Sequence, residues 1–451
     1  MSSFDQFHLK KQLRNAISDI GFVSPTPIQE QAFNVVLSGK DVLGIAQTGT
    51  GKTLAYSLPI LEEMKYSAQK NPRAVILVPT RELVIQVVNE IERLTEYMSI
   101  RTLGIYGGVN IKTHRLKLSE GADIIVATPG RIYDLILEQS LSVKGVKKLV
   151  IDEVDVMLDL GFRPQLMNIL ELLPQRRQNI MFSATMTDHV DELIDDFFIA
   201  PTKISIAVSG TPLENIQQEC YNVENFFTKV NLLKHLLKNT DKFTKVLVFA
   251  AHKRMADRIH AEIIGDFADQ VGIIHSNKTQ NYRIRSIEDF DSGQNRILVA
   301  TDIMARGLDL DKISHVINFD TPNFPENYMH RIGRTGRAEE IGRTILFSTE
   351  KEMAWKEAIE ELMDYKIPVL DFPVEVEVSR ELLTEEKPEE EQIKDYNRNL
   401  KNNISGPGTH EKKAKNKKVN LGGTYKRDIK QKYKKAQTRG DKTYHKKQKR
   451  G

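Results

Sequence analysis

The chain contains a single cysteine, Cys220, among 451 residues. That excludes an intramolecular disulfide and any zinc site built from several thiolates, and it suits a reducing compartment. Long apolar runs are missing too. No stretch of about 18 apolar residues occurs, so no membrane-spanning helix is expected. The opening residues, MSSFDQFHLKKQL, lack the apolar centre of a secretory signal. The expectation is a soluble, cytoplasmic protein with no membrane partner, and nothing indicates an oligomer. What is present is ample core-forming material, at 40% hydrophobic residues. Single cores stop growing at roughly 250 to 300 residues, so two globular domains plus additional segments are expected.

The net charge of +4 conceals an asymmetry. Residues 401–451 hold 18 Lys or Arg against Glu411, Asp428 and Asp441, which leaves the tail at +15 and the first 400 residues at −11. The tail has almost no apolar periodicity and carries Tyr425, Tyr433 and Tyr444 among its lysines. Such a segment is expected to be disordered when free and drawn to polyanions, RNA and ribonucleoprotein complexes included; a solvated solubility tail is the alternative. Before it, residues 373–400 are rich in glutamate, as in ELLTEEKPEEEQ, and read as a charged linker or a solvated helix.

Between these limits the chain alternates short apolar runs with helix-periodic segments. DVLGIAQT (41–48), AVILVPT (74–80), DIIVATPG (123–130), KLVIDE (148–153) and NIMFSAT (179–185) each end in small or polar residues. The rhythm restarts with KVLVFAA (245–251), VGIIHS (271–276), RILVATD (296–302), HVINFDTP (315–322) and RTILFS (343–348). Strands alternating with helices imply parallel sheets covered on both faces, with ligands collecting beyond the C-terminal strand ends. The fold class is therefore α/β, with two domains in tandem at 1–205 and 216–372. A connector rich in turn residues falls at about 201–215, its centre at 206–215.

Two motifs carry the chemistry. AQTGTGKT places Ala46, Gln47, Thr48, Gly49, Thr50, Gly51, Lys52 and Thr53 between an apolar run and a helical pattern. Small residues there let backbone N–H groups surround phosphate oxygens, Lys52 can reach the outer phosphates, and the Thr53 hydroxyl can ligate magnesium. ATP and Mg2+ are the expected cofactors. VIDEVDVML (150–158) puts three carboxylates directly after a buried strand, an arrangement that costs several kcal/mol per charge without partners. A nucleotide site supplies them: Asp152 can hold the magnesium, and Glu153 can orient or deprotonate the attacking water.

At this point the sequence resembles the DEAD-box ATP-dependent RNA helicases of helicase superfamily 2, from about Phe4 to about Phe372. The resemblance implies two RecA-like domains. GFVSPTPIQ (21–29) is similar to the family's adenine-reading motif, in which Phe22 stacks on the base and Thr26 and Gln29 hydrogen-bond its edge. PTREL (79–83), GG (107–108) and TPGR (128–131) resemble RNA-contacting motifs, which implies RNA roles for Arg81, Gly108, Thr128 and Arg131. SAT (183–185) is similar to the motif coupling hydrolysis to unwinding, with Ser183 and Thr185 hydrogen-bonded to Asp155. ATDIMARGLD (300–309) resembles the motif that brings Asp302 to the ribose and gives Thr301 and Arg306 to RNA and domain contacts. HRIGRTGR (330–337) resembles the arginine-finger motif: Arg334 and Arg337 as fingers, His330 and Arg331 organising the water and the domain interface. Phe249 and Gln280–Arg283 match weaker positions that support RNA binding.

The sequence departs from the family in reading DEVD, with Val154 at a position normally small, and in Ser276 and the VFAAHK stretch. Because the phosphate loop and the arginines fall in different domains, the expected activity is an RNA-stimulated ATPase. Closing the domains around ATP and RNA would unwind short duplexes or remodel RNA-protein complexes. Alternatives are an ATP-gated RNA clamp with little unwinding and an annealing protein driven by the tail.

Overall fold

In the computed structural model, residues 3–46, 49–206, 216–302, 310, 312–336 and 341–387 are described. Seven parallel strands form the first sheet, in the spatial order Thr102–Ile105, Ile124–Ala127, Ala74–Leu77, Lys148–Ile151, Gln178–Ser183, Val42–Ile45 and Thr202–Ser205. Its central strands are buried on both faces, which is why they read as unbroken apolar runs. The two-residue period still sorts them. Val42, Ile76, Val126 and Val150 enter one core with helices Pro27–Leu37, Lys52–Glu63 and Arg81–Leu94. Leu43, Ile45, Val75, Leu77 and Ile151 enter the other, with helices Pro129–Leu137 and Arg163–Leu172. Phe4 and Phe7 join the first core, where the Phe7 ring stacks on Phe33 at 4.3 Å. Gly44 lies opposite Phe182 in register, and a Cβ there would sit 2.3 Å from that ring.

A second sheet of seven parallel strands runs Val271–Ile274, Ile297–Thr301, Val246–Ala250, His315–Asn318, Gly342–Ser348, Ile216–Asn222 and Val369–Leu370. Both sheets lie in one compact unit that ends at Leu382. Among the described residues no helix is long and apolar enough to cross a membrane.

Two expectations change. The first residues of the turn-rich stretch at about 201–215 belong to the first domain, whose expected limit was 205, because Thr202–Ser205 pairs in parallel with Val42–Ile45 as an edge strand. Only Ile204 of that strand is buried, so it leaves little apolar signal; residues 207–215 lie outside the described set. The start of the acidic stretch is neither linker nor helix. Residues 377–379 lie against helix Phe226–Leu237: Asn231 Nδ2 donates to the Glu377 carbonyl at 3.0 Å, Asn225 Nδ2 donates to the Ser379 carbonyl at 2.6 Å, and the Ser379 N–H donates to Thr228 Oγ1 at 2.9 Å. Residues 388–400 and the basic tail at 401–451 lie outside the described residues.

One buried base makes the second sheet sensitive to acid. His315 stacks on Phe243 with ring centroids 4.2 Å apart, and its Nε2 has no hydrogen-bond partner among the described residues. Burial, with Lys242 and Arg343 nearby, pushes its pKa down from 6.5 to about 4. The fold holds the neutral form while the unfolded chain protonates near 6.5, so stability falls as pH drops from about 6.5 toward 4, by about 3 kcal/mol at the lower end. Denaturant unfolding across that range checks this: His315→Leu is expected to flatten the slope, and an unchanged slope would refute it.

Candidate active site and nucleic-acid interface

The strand registers align the C-terminal ends of the first sheet. Ile45 pairs with Ser183, Leu77 with Ile151, and Ile151 with Met181, so the residues that follow them share one edge. Beyond Ile45, Ala46 donates to the Ser183 carbonyl at 3.0 Å. The chain then turns through Gly49 (φ 83°) and Gly51 (φ 87°), left-handed conformations that favour glycine, and enters helix Lys52–Glu63. Thr26 and Gln29 clasp this loop from below. Thr26 Oγ1 donates to the Thr50 carbonyl at 2.8 Å, and Gln29 Nε2 donates to the Gly51 carbonyl at 3.1 Å. The Gln29 side-chain oxygen accepts the Thr26 N–H at 3.0 Å, completing a capping box for helix Pro27–Leu37. The Gln29 amide expected at the adenine edge is therefore engaged on the loop itself, whereas the Phe22 ring remains exposed. Gln47 and Thr48 lie outside the described residues.

Lys52 begins its helix beside the acidic strand end. Its Nζ lies 3.8 Å from Asp152 Oδ1, with both side chains buried. Lys52 Nζ, Asp152 Oδ1 and Glu153 Oε2 each lack a hydrogen-bond partner among the described residues. Orphaned buried groups cost about 1–3 kcal/mol each, more when charged. Burial, opposed by Lys52 and reinforced by Glu153, pushes the Asp152 pKa up to about 6. A donor set of lysine, carboxylates and the Thr53 hydroxyl fits a phosphate with magnesium.

Glu153 itself has a left-handed backbone (φ 53°, ψ 50°), unusual for a residue with a Cβ. That turn starts helix Val154–Asp159 and sends Val154 into the second core with Ile45 and Met157. The valine that replaces a small residue is thus wholly buried in apolar surroundings, away from the polar edge.

Asp155 has the opposite environment to Asp152. Its Oδ2 accepts from the Ala184 N–H at 3.1 Å, the Thr185 N–H at 3.0 Å and the Thr185 hydroxyl at 3.0 Å, with His330 Nε2 at 3.5 Å. Burial alone would raise its pKa, but His330, Lys52 and Thr185 reverse the sign and hold it well below the usual carboxylate range. One expected partner differs: the Ser183 hydroxyl donates to the Thr185 carbonyl at 2.6 Å, so Ser183 shapes the turn that Asp155 grips without touching it.

His330 belongs to helix Pro325–Ile332 of the second lobe, so its contact with Asp155 bridges the lobes. A second bridge joins Glu82 to Arg283 in a close ion pair and to Gln280 at 2.9 Å, while Arg81 Nη1 donates to Gln280 Oε1 at 3.3 Å. Gln280 and Arg283, expected to support RNA binding, are thus occupied in holding the lobes together. Arg81 packs on Gly108 so closely that a Cβ there would meet Nη1 at 2.0 Å. Arg131 Nη1 donates to the Val109 carbonyl at 3.0 Å, and Thr128 starts helix Pro129–Leu137. Arg81, Thr128 and Arg131 line a cavity of about 430 Å³ with Gly107 and Arg283.

In the second lobe Thr301 ends its strand at the edge of a cavity of about 760 Å³ that also reaches Asp155, Thr185 and His330. Asp302, expected at a ribose, accepts from one edge of the Arg331 guanidinium, Nε to Oδ1 and Nη2 to Oδ2, the latter at 2.9 Å. Arg331 in turn donates to the Asp320 carbonyl at 2.7 Å and lies over the Phe249 ring at 5.1 Å. It therefore organises the interior of the second lobe, not the interface as expected. Arg334 is buried, with Nε donating to the His330 carbonyl at 3.3 Å. Arg306 and Arg337 lie outside the described residues.

Two parallel α/β lobes, with a phosphate loop and acidic strand end on one and a basic helix of the other touching them, define a two-lobed nucleotide-dependent enzyme. Residues 26–193 match the DEAD/DEAH box helicase family, and residues 228–339 match the helicase conserved C-terminal domain. The chain belongs to the DEAD/DEAH box helicase family. It is 37% identical over 380 residues to the ATP-dependent RNA helicase CshA of Listeria monocytogenes, covering 83% of this chain and 71% of that one. It is 38% identical over 373 residues to the ATP-dependent RNA helicase RhlB of Pseudomonas syringae, covering 81% and 93%. Among solved structures it resembles S. cerevisiae Dbp5 bound to RNA and ADP BeF3, with a TM-score of 0.76 at 28% identity over 82% of this chain and 96% of that one. Mss116p bound to ssRNA and AMP-PNP has the same TM-score at 27% identity, covering 88% and 84%.

Replacing Asp155 by Ala would leave three N–H groups, of Val156, Ala184 and Thr185, and the Thr185 hydroxyl without their acceptor. Asp155→Ala is expected to lower unfolding free energy by about 3 kcal/mol in denaturant titrations; a loss under about 1 kcal/mol would show that the turn does not depend on this carboxylate.

Proposed function

We infer from the family and the geometry that the chain is an ATP-dependent RNA helicase, an enzyme that hydrolyses ATP and acts on RNA. We propose further that hydrolysis is RNA-stimulated and that closure of the lobes locally opens short duplexes or remodels RNA-protein complexes. The observation that carries the site assignment is the cluster of buried polar atoms without partners, Lys52 Nζ, Asp152 Oδ1 and Glu153 Oε2, at one strand edge. A magnesium-bound triphosphate would supply the missing partners of Lys52 and Asp152, and the attacking water that of Glu153.

In this reading Lys52 and the N–H groups of residues 46–53 bind the phosphates, and Phe22 meets the base. Thr53 and Asp152 would hold magnesium, which when bound neutralises phosphate charge. Glu153, the next residue, positions the attacking water and receives its proton. Arg334 and Arg337 answer the charge of the transferred phosphoryl group from the second lobe, where such arginines are worth about 10³ to 10⁵ in rate. Asp155 couples the two events, because the turn at Ala184 and Thr185 and the helix bearing His330 meet on its carboxylate. RNA phosphates would lie along Arg81, Gly108, Thr128 and Arg131, with Thr301 and Arg306 serving the other lobe. The basic tail at 401–451 adds an attraction for RNA or ribonucleoprotein that requires no sequence match.

ATP turnover measured with and without single-stranded RNA tests the reading: RNA is expected to raise the rate several-fold, and equal rates would count against it. Glu153→Gln should retain ATP binding, lose about 10² or more in turnover, and lengthen the lifetime of the RNA complex. Normal hydrolysis by that variant would remove Glu153 from the water. Truncation after residue 400 is expected to flatten the fall of RNA affinity with salt while sparing catalysis, and an unchanged slope would make the tail irrelevant to RNA.

A further inference from the structure

Three orphaned polar atoms at the strand edge are explained by a bound nucleotide. A fourth is not. The Tyr56 side chain is fully buried in the first core, yet its hydroxyl has no hydrogen-bond partner among the described residues. Phenylalanine would fill this position without the cost of burying a hydroxyl, so a buried tyrosine here calls for a partner for its O–H. Tyr56 lies one helical turn beyond Lys52 on helix Lys52–Glu63, so the two side chains leave the same face. Its ring is wedged against Phe182, 5.7 Å between centroids, and Phe182 is itself pressed onto Gly44. Rotation of the ring is thereby limited. The Asp152 carboxylate and the Thr53 hydroxyl both lie close enough to the phenol to interact with it directly, although neither meets it in good hydrogen-bonding geometry. Both Asp152 and Thr53 are assigned to magnesium above.

We propose that Tyr56 is a positioning residue for Asp152: its hydroxyl donates to the carboxylate from the core side and holds it in the orientation that receives magnesium when nucleotide binds. A phenol at neutral pH has one hydrogen to give, and Asp152 Oδ1 is an acceptor without a donor. The two groups already lie within reach of one another, so a small reorientation of the carboxylate brings it into hydrogen-bonding geometry with a hydroxyl already held in place. The unsatisfied phenol of the nucleotide-free fold then becomes part of the outer shell of the metal site, and outer-shell partners typically contribute 10- to 100-fold to metal affinity. The proposal rests on the assignment of Asp152 to magnesium.

The test is a magnesium titration of fluorescent ADP analogue binding to the full chain, compared for wild type, Tyr56→Phe and Asp152→Asn, with each melting temperature recorded without nucleotide. In Tyr56→Phe the magnesium midpoint is expected to rise about 10-fold. Binding of the analogue in EDTA should stay within about twofold, and the nucleotide-free melting temperature should be equal or higher, since an orphaned hydroxyl has been removed. A hydroxyl that merely fills space would give the same melting behaviour with no change in the midpoint; that result, with Asp152→Asn strongly shifted, overturns the proposal and leaves the metal assignment intact. If Asp152→Asn also keeps the wild-type midpoint, the assignment of Asp152 falls and the role of Tyr56 with it.

Discussion

Charge buried at the end of a parallel sheet is the constraint on which the rest of this structure depends. Asp152, Glu153 and Asp155 follow a strand with no exposed apolar residue, and none of the three side chains escapes to solvent. Their resolutions differ. Asp155 is satisfied within the protein by Ala184, Thr185 and His330, whereas Asp152 and Glu153 retain oxygens without a hydrogen bond beside Lys52, which reaches Asp152 only as an ion pair at 3.8 Å. A fold that tolerates such costs stabilises a ligand by removing them, because binding energy that would otherwise go into desolvating the site has already been spent in folding.

The satisfied carboxylate has a second use. Its partners come from the end of strand Gln178–Ser183 and from a helix of the other lobe, so a change at either is felt at one atom, Asp155 Oδ2. The Glu82–Arg283 pair forms a second link between the lobes at a different place. Two separated contacts define an orientation where one would act only as a pivot, and both are polar, which lets them break and remake without exposing apolar core.

Much of this was legible in the sequence because it is written in short spans. The doubly buried strands show as apolar runs ending in polar residues, the Gly49 and Gly51 turns announce the phosphate loop, and the contacts of Thr185 with Asp155 follow from motif order. Two peripheral strands were not legible: Thr202–Ser205 buries one residue, and Ile216–Asn222, second from the edge of its sheet, carries Gln217, Gln218 and Glu219 in succession. Side-chain commitments over long sequence distance were equally hidden. Gln29 serves the phosphate loop, Asp302 belongs to Arg331, and Gln280 belongs to Arg81 and Glu82, pairings set by tertiary geometry that no local pattern encodes. The orphaned Tyr56 hydroxyl left no trace, since a tyrosine in an apolar helix face reads as packing.

The first sheet draws all its strands from residues 42–205, and the last of them lies at its edge beside Val42–Ile45. Synthesis proceeds from the N-terminus and domains generally fold as units while the chain is still emerging. The half that carries Lys52 and the carboxylates can therefore settle on the ribosome before any residue of the 330–337 segment exists. A nascent chain at that stage presents Lys52 and the carboxylates with neither His330 nor Arg334 yet made, so the order of translation separates the two halves of the site in time.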